Sequence, residues 1–467
     1  MDSHTGRELD IEVEYAREQD LTTEFARVRA QSETLCEPLA VEDFGVQPMD
    51  DASPPKWHLA HTSWFFETFL LKPFQPGYKV FHPRFEYLYN SYYNGVGDPF
   101  PRQRRGSLSR PTVLEIYAYR RYVDDAMQSL LSSTDAQVAG RIELGLNHEQ
   151  QHQELLLTDV KYNLGHNPLY PAYRDDLAVS RISAETTNLT FSSFSTAKAK
   201  VWIGADGGFC FDNELPRHEV LVGPFALADR VVTNAEYLEF IEDAGYQRPE
   251  LWLSDGWNWL LQRRSVVQHD LLCTPLYWLK ADEKWLEYRL GGLAKLEMAA
   301  PVTHVCYYEA DAYARWAGYR LATEQEWETA AQVEREVHKS QLRQRKEKDE
   351  RTVGITPDDN EEGNFVETHT LHPLPSRPAV GTRLQRTCTQ LFGDVWEWTA
   401  SPYTPYPGYR PPAGTLGEYN GKFMSNQLVL RGGSCVTPCN HVRASYRNFF
   451  YPQDRWQFSG IRLAHDL

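Results

Sequence analysis

Between residues 20 and 170 apolar side chains recur every three to four positions, the spacing that buries one face of an α-helix. Residues 21–34 are amphipathic. Residues 58–71 carry a strong apolar stripe with His and Glu set into it, and residues 111–132 and 136–164 extend the pattern over two longer helices. Residues 74–109 interrupt it with Tyr, Asn, Gly, Pro and Arg. Four helices and one long loop predict an up-down bundle, a scaffold that can present metal ligands from facing helices. Residues 174–199, rich in Ser, Thr and Ala, read as a linker. Beyond them short β-like runs at 200–203, 218–222, 225–228, 428–431 and 460–463 are separated by Gly, Asn and Asp turns. Short helices are predicted over 233–244 and 309–318. A longer one over 323–350 opens on Thr323 with Glu326 three residues on, the capping-box spacing, and runs into a charged, solvated extension. The expected division is a helical bundle over 20–173, a linker over 174–199 and an α+β domain over 200–467.

The length of 467 residues agrees with more than one core. A hydrophobic fraction of 41% and a charged fraction of 24% place the chain among soluble globular proteins. With 13 Trp and 26 Tyr, compact aromatic-rich loops are expected rather than plain helical repeats. A net charge of -16 argues against nucleic acid or an anionic membrane as partner. No run approaches the ~20 apolar residues of a membrane span. Residues 1–20 are acidic and polar, without the apolar segment of a signal peptide. Seven scattered cysteines fit reduced thiols, so a cytoplasmic protein is expected.

The chemistry is concentrated in His148-Glu149-Gln150-Gln151-His152. Two imidazoles four residues apart share a helix face and can grip one metal ion. The pentad also fits the His-Glu-x-x-His pattern of zinc proteases, with the Glu as general base. The longer protease pattern wants Gly and His where Leu155 and Thr158 stand, and the next Glu after Glu154 is Glu185, in the expected linker. A third imidazole is available from His58 or His61 on the second helix, and spacing alone does not choose between them. Three neutral nitrogens suit Fe(II), Cu(II) or Zn(II) and leave positions open for substrates.

The His-x-x-Trp-Phe segment at His61, the His-x-x-Gln-His segment at 148–152 and a set of motifs in the C-terminal half resemble the ergothioneine-biosynthesis sulfoxide synthases. Those motifs include Arg320-Leu321-Ala322-Thr323-Glu324, Gly393-Asp394-Val395-Trp396-Glu397-Trp398 and Leu430-Arg431-Gly432-Gly433-Ser434. Members of that family join a DinB-like four-helix bundle to a formylglycine-generating-enzyme-like domain of C-type-lectin-like fold. The resemblance implies Fe(II) held by His61, His148 and His152, oxygen as co-substrate, and hercynine as the acceptor whose imidazole C2 is joined to a thiol sulfur that ends as a sulfoxide. It implies that Gln151 hydrogen-bonds the substrate imidazole and that Asn448 lies near its trimethylammonium, where Phe449 adds cation–π attraction. Tyr92 and Tyr93 resemble an active-site pair that gives a proton, or a proton and an electron. Of the loop arginines Arg102, Arg104, Arg105 and Arg110, Arg102 and Arg105 are the expected clamp for the thiol substrate's carboxylate.

Members that take γ-glutamylcysteine carry an acidic residue where Phe450 stands, so free cysteine is the expected thiol. The related ovothiol synthases act on histidine and usually carry a C-terminal methyltransferase, and residues 200–467 are expected to form the second domain without a glycine-rich cofactor-binding segment, so the ovothiol reading is not the one expected. Cys435 and Cys439 follow an Arg-Gly-Gly-Ser similar to the one that precedes the copper-binding cysteines of formylglycine-generating enzymes, but their spacing differs. A copper oxidase and a non-catalytic binding protein are therefore the remote alternatives.

Overall fold

A computed structural model describes residues 21–177, 188–195, 197–264, 273–348, 363–376 and 388–467. They form two compact units: residues 21–167 with Pro412–Tyr419, and the rest of the described chain.

The first unit is helical. Helix α1 covers residues 21–34, α2 Pro55–Phe66, α3 Val113–Leu131 and α4 Ala136–Gly165. Pro55 occupies the first turn of α2, where a missing N–H costs nothing. Every residue of α2 is buried, including His58 and His61, so this is the central helix and not one with a single apolar face. It packs on both α3 and α4 and continues into a π-helical turn, Glu67–Leu71. Thr112 caps α3 with Glu115 returning the bond, and Asp135 caps α4. Gly145 lets α4 approach α2 closely. A Cβ there would lie 2.6 Å from the Phe66 ring, one turn ahead of His148. The long loop contains two short helical pieces, Phe85–Tyr89 and Arg102–Ser107.

The second unit is α+β. A four-stranded sheet has the order β1-β4-β13-β8, from Phe191–Ser195, Phe225–Ala228, Leu463–Asp466 and Arg320–Leu321. A second has the order β11-β10-β9-β12, from Asn448–Phe450, Leu428–Arg431, Trp396–Pro402 and Ser459–Gly460. The hairpin β2-β3 joins Ala199–Ile203 to His218–Val222. A three-stranded sheet runs β5-β6-β7 over Trp278–Ala281, Lys284–Arg289 and Gly292–Lys295. Helices α5 Asn234–Glu242, α6 Ser254–Arg264, α7 Tyr307–Trp316 and α8 Glu324–Lys348 complete it. Phe225, Leu227, Trp327, Leu391 and Ala464 form one core cluster between α8 and the first sheet. Beneath it the Glu397 carboxylate accepts from Trp327 Nε1 at 2.7 Å and from Arg462 Nε at 2.8 Å.

The expected linker over 174–199 is corrected at its C-terminal end, and the expected bundle over 20–173 at its own. Residues 191–195 form β1, paired antiparallel with β4 from Phe191↔Ala228 onward. The Ser-rich composition hid Phe191, whose ring stacks on Tyr319 at 4.6 Å. Tyr173 already belongs to the second unit, its N–H bonded to the Leu290 carbonyl at 2.8 Å. Residues 178–187 of that stretch lie outside the described residues. The run at 460–463 divides between β12 and β13. Among the described residues no helix is long and apolar enough to cross a membrane.

Candidate metal centre

His61 reaches inward from α2, and His148 and His152 stand one turn apart on α4. One ring nitrogen from each lies within 4.8 Å of the other two. Among the described residues this is the single group of three metal-binding side chains so arranged. The His61 and His148 Nε2 atoms are 3.2 Å apart. His61 donates Nδ1–H to the Tyr89 carbonyl at 2.6 Å, which places its lone pair on Nε2. His152 has Nδ1 against His58 Nδ1 at 2.9 Å, so its Nε2 is the atom turned to the group. His148 Nδ1 is buried with no hydrogen-bond partner among the described residues.

Packing fixes these rings. His61 is sandwiched between Trp57, at 4.5 Å and 12°, and Trp64, at 5.3 Å and 14°. Phe65 stacks on His148 at 4.5 Å. Burial, and next His148, push the His61 pKa well below its ordinary value of 6.5. Burial pushes His148 down to about 3, and burial with the other two imidazoles lowers His152 in the same way. All three rings are therefore neutral near pH 7 and offer lone pairs. Three neutral nitrogens gathered within 4.8 Å of one another fit a divalent transition ion with open positions.

Glu149 takes no part in this group. Its carboxylate accepts from Arg29 Nη1 at 2.8 Å, Ser32 Oγ at 2.7 Å and Arg120 Nη2 at 3.0 Å. Burial alone would raise its pKa, but Arg29 and Arg120 hold it down to about 2. A carboxylate locked between two guanidinium groups cannot act as a general base, which removes the protease chemistry of the pentad. Glu149→Gln is expected to cost about 3 kcal/mol of unfolding free energy by breaking a buried ion pair, while divalent-metal binding persists. Urea unfolding beside metal titration checks this, and an unchanged midpoint would contradict it.

Tyr92 is half-buried and Tyr93 wholly buried, their rings stacked at 4.6 Å. Tyr93 also packs on Phe69 at 5.0 Å and on Trp64 at 5.6 Å, and Trp64 in turn covers His61. Burial, and then Tyr92 and Tyr419, push its phenol well above pKa 10. Asn90 pins the loop by donating to the Tyr93 carbonyl at 2.9 Å and accepting the Tyr93 N–H at 3.0 Å. Glu418 accepts the N–H groups of Asn94 and Gly95 at 3.0 and 2.8 Å.

Arg105 is buried, with its guanidinium 3.4 Å above the Trp57 ring. It bonds Ser53 Oγ at 2.9 Å and Ser91 Oγ at 3.3 Å, and among the described residues it pairs with no carboxylate. Burial, then the charge of Arg102, push its pKa down from the usual 12.5. Arg102 is exposed and donates to the Asp51 carbonyl. Arg104 and Arg110 are exposed as well. Asn448, Phe449 and Phe450 belong to the second unit, as β11. Phe449 stacks on Tyr403 at 4.0 Å, the Asn448 side chain accepts the Phe449 N–H at 2.9 Å, and Phe450 lies 6.1 Å from Trp456. Among the described residues no disulfide joins the cysteines, and Cys435 is buried while Cys439 is half-buried.

Tyr419 carries no signal in the sequence. The segment Pro412–Tyr419 belongs to the first unit although it is distant in the chain. Tyr419 donates its hydroxyl to Gln151 Oε1 and sets its ring edge-on to His148 at 5.8 Å. No periodicity marks it, because the contact is made across 268 residues.

Residues 187–467 match the sulfatase-modifying factor enzyme 1-like domain, and residues 24–156 match the DinB superfamily. The chain is 31% identical over 428 residues to a hercynine oxygenase of Mycobacterium tuberculosis, covering 89% of this chain and 91% of the relative. It is 30% identical over 430 residues to that of Mycolicibacterium thermoresistibile, covering 89% and 88%. A formylglycine-generating enzyme of Streptomyces coelicolor is 30% identical over 285 residues, 56% of this chain and 83% of that one.

Proposed function

This chain belongs to the hercynine oxygenase family of oxygen-dependent oxidoreductases, and from that premise we propose that it is an iron(II) sulfoxide synthase that joins cysteine to hercynine. The observation that carries the reading is the convergence of His61, His148 and His152 beside a buried arginine that forms no ion pair with a carboxylate among the described residues. The three imidazoles would hold the ferrous ion, which when bound supplies a centre where oxygen is reduced next to thiol and imidazole.

The electron balance sets what the chain must arrange. Joining the hercynine C2–H to the cysteine S–H releases two electrons, and forming the sulfoxide releases two more. Together they reduce one O2, with one oxygen atom ending on sulfur and the other in water. Protons are therefore needed at the oxygen that leaves. Tyr93 is a suitable donor: a phenol kept protonated by burial, held in a stacked, hydrogen-bonded loop, with Tyr92 beside it. Gln151 would hydrogen-bond the substrate imidazole, its amide oriented by the bond from Tyr419. Arg105 would pair with the cysteine carboxylate. A guanidinium already desolvated and fixed over Trp57 gives up little freedom on doing so, and exposed Arg102, whose charge is felt at Arg105, would add to the attraction.

Free cysteine is the thiol the family pattern favours, because members that take γ-glutamylcysteine carry an acidic residue where Phe450 stands, and a phenyl ring brings no carboxylate to pair with the ammonium of a γ-glutamyl group. Steady-state rates with hercynine and each thiol test this. The kcat/KM is expected to be at least about tenfold higher for cysteine, the ratio set by roughly one unpaired polar contact. A higher value for γ-glutamylcysteine would overturn the choice of thiol, and turnover of histidine in place of hercynine would overturn the choice of acceptor.

A further inference from the structure

His58 sits one turn before His61 on α2, and Asp159 two turns beyond His152 on α4. Their side chains interleave behind the three-histidine group. His58 Nδ1 lies 2.9 Å from His152 Nδ1, and His58 Nε2 lies 3.1 Å from Asp159 Oδ2. The same Asp159 oxygen accepts the Ser53 N–H at 2.7 Å. His58 and Asp159 are both buried.

Two nitrogens 2.9 Å apart share one hydrogen, and only two polarities are available to neutral rings. In one, His58 donates from Nδ1. His152 then carries its proton on Nε2 and has no lone pair for a metal, while His58 turns the lone pair of Nε2 toward a carboxylate oxygen. In the other, His152 donates from Nδ1, His58 accepts, and His58 Nε2–H donates to Asp159. A carboxylate has no hydrogen to give, and its Oδ2 is pinned as an acceptor by Ser53, so the second polarity is the one it selects.

We infer that Asp159, acting through His58, sets the tautomer of His152 and so keeps the His152 Nε2 lone pair directed at the metal. The inference rests on the reading of His61, His148 and His152 as ligands. His58 and Asp159 are positioning residues and touch neither substrate nor ion. His61 receives the same service from one backbone carbonyl, that of Tyr89. His152 receives it through a two-residue relay anchored on α4 itself. A histidine three residues from a ligand is thereby given a purpose beyond packing.

The test is Co(II) and Fe(II) affinity, measured anaerobically by chelator competition, with the Co(II) visible spectrum and the thermal midpoint of the metal-free protein recorded beside it. His58→Phe and Asp159→Leu remove the acceptor at either step and are expected to bind roughly 10–100-fold more weakly than wild type. Asp159→Asn can keep a carbonyl oxygen under the Ser53 N–H, and is expected to stay within a few-fold of wild type. Imidazole nitrogen NMR of the Zn(II)-loaded wild-type protein reads the same point without any substitution: the proton is expected on Nδ1 of His152 and on Nε2 of His58. Wild-type affinity in His58→Phe, equal losses in Asp159→Leu and Asp159→Asn, or the opposite proton placement each overturn the relay alone. A wild-type chain that takes up no divalent ion overturns the ligand reading as well.

Discussion

Replacing His61, His148 or His152 with alanine is expected to abolish ferrous-ion loading and sulfoxide formation together. Each ring supplies one of three nitrogens gathered within 4.8 Å, and no other His, Cys, Asp or Glu among the described residues joins them. Outer partners of metal ligands are each worth roughly 10–100-fold in affinity, so losing a ligand itself is expected to exceed that range. The fold should survive. His148 Nδ1 has no hydrogen-bond partner among the described residues, and the stacking that surrounds His61 comes from Trp57 and Trp64, which remain. Glu149→Gln is the counterpart, with weakened folding and an intact metal site. Metal content after anaerobic loading and desalting separates the two classes. A variant of any of the three histidines that retains iron and turnover would contradict the ligand set.

Tyr93→Phe is expected to spare binding of both substrates and to lower sulfoxide formation by roughly 10²–10⁴-fold, the range of a lost proton donor. The substitution removes one hydroxyl and keeps the ring that stacks on Tyr92, Phe69 and Trp64. Oxygen activated without that proton has a simpler outlet: both its atoms can end on the cysteine sulfur as a sulfinic acid, with hercynine left unjoined. Atoms and electrons balance, since the thiol alone then supplies all four. Mass spectrometry of the products should show the sulfinate rising as the sulfoxide falls, with a smaller change in Tyr92→Phe because Tyr92 is only half-buried. Unchanged product ratios in both variants would remove the tyrosines from the chemistry.

The sequence made some of this legible for plain physical reasons. His148 and His152 are four residues apart, and helical geometry puts them on one face whatever else the chain does. The cap at Thr323 is local and reappears with its Glu326 partner. His58 and His61 defeat periodicity because three residues apart is also one face. They differ only in what lies opposite, Asp159 for one and the Tyr89 carbonyl for the other. Arg102 and Arg105 look equivalent as sequence, but a short 3-10 turn carries Arg105 inward onto Trp57 and leaves Arg102 outside. Tyr419 is out of reach for a different reason. Its contact with Gln151 is made by a segment that departs from the second unit to join the first, and no local pattern records such a contact. The strand at 191–195 is concealed by serines that flank its two phenylalanines.

The most direct measurement is anaerobic loading of the full chain with Fe(II), followed by hercynine, cysteine and air, with mass detection of products. Hercynylcysteine sulfoxide is expected in amounts that follow iron content, with one O2 consumed per product. Iron-loaded protein that forms no carbon–sulfur bond, or equal product from protein stripped of metal, would contradict it.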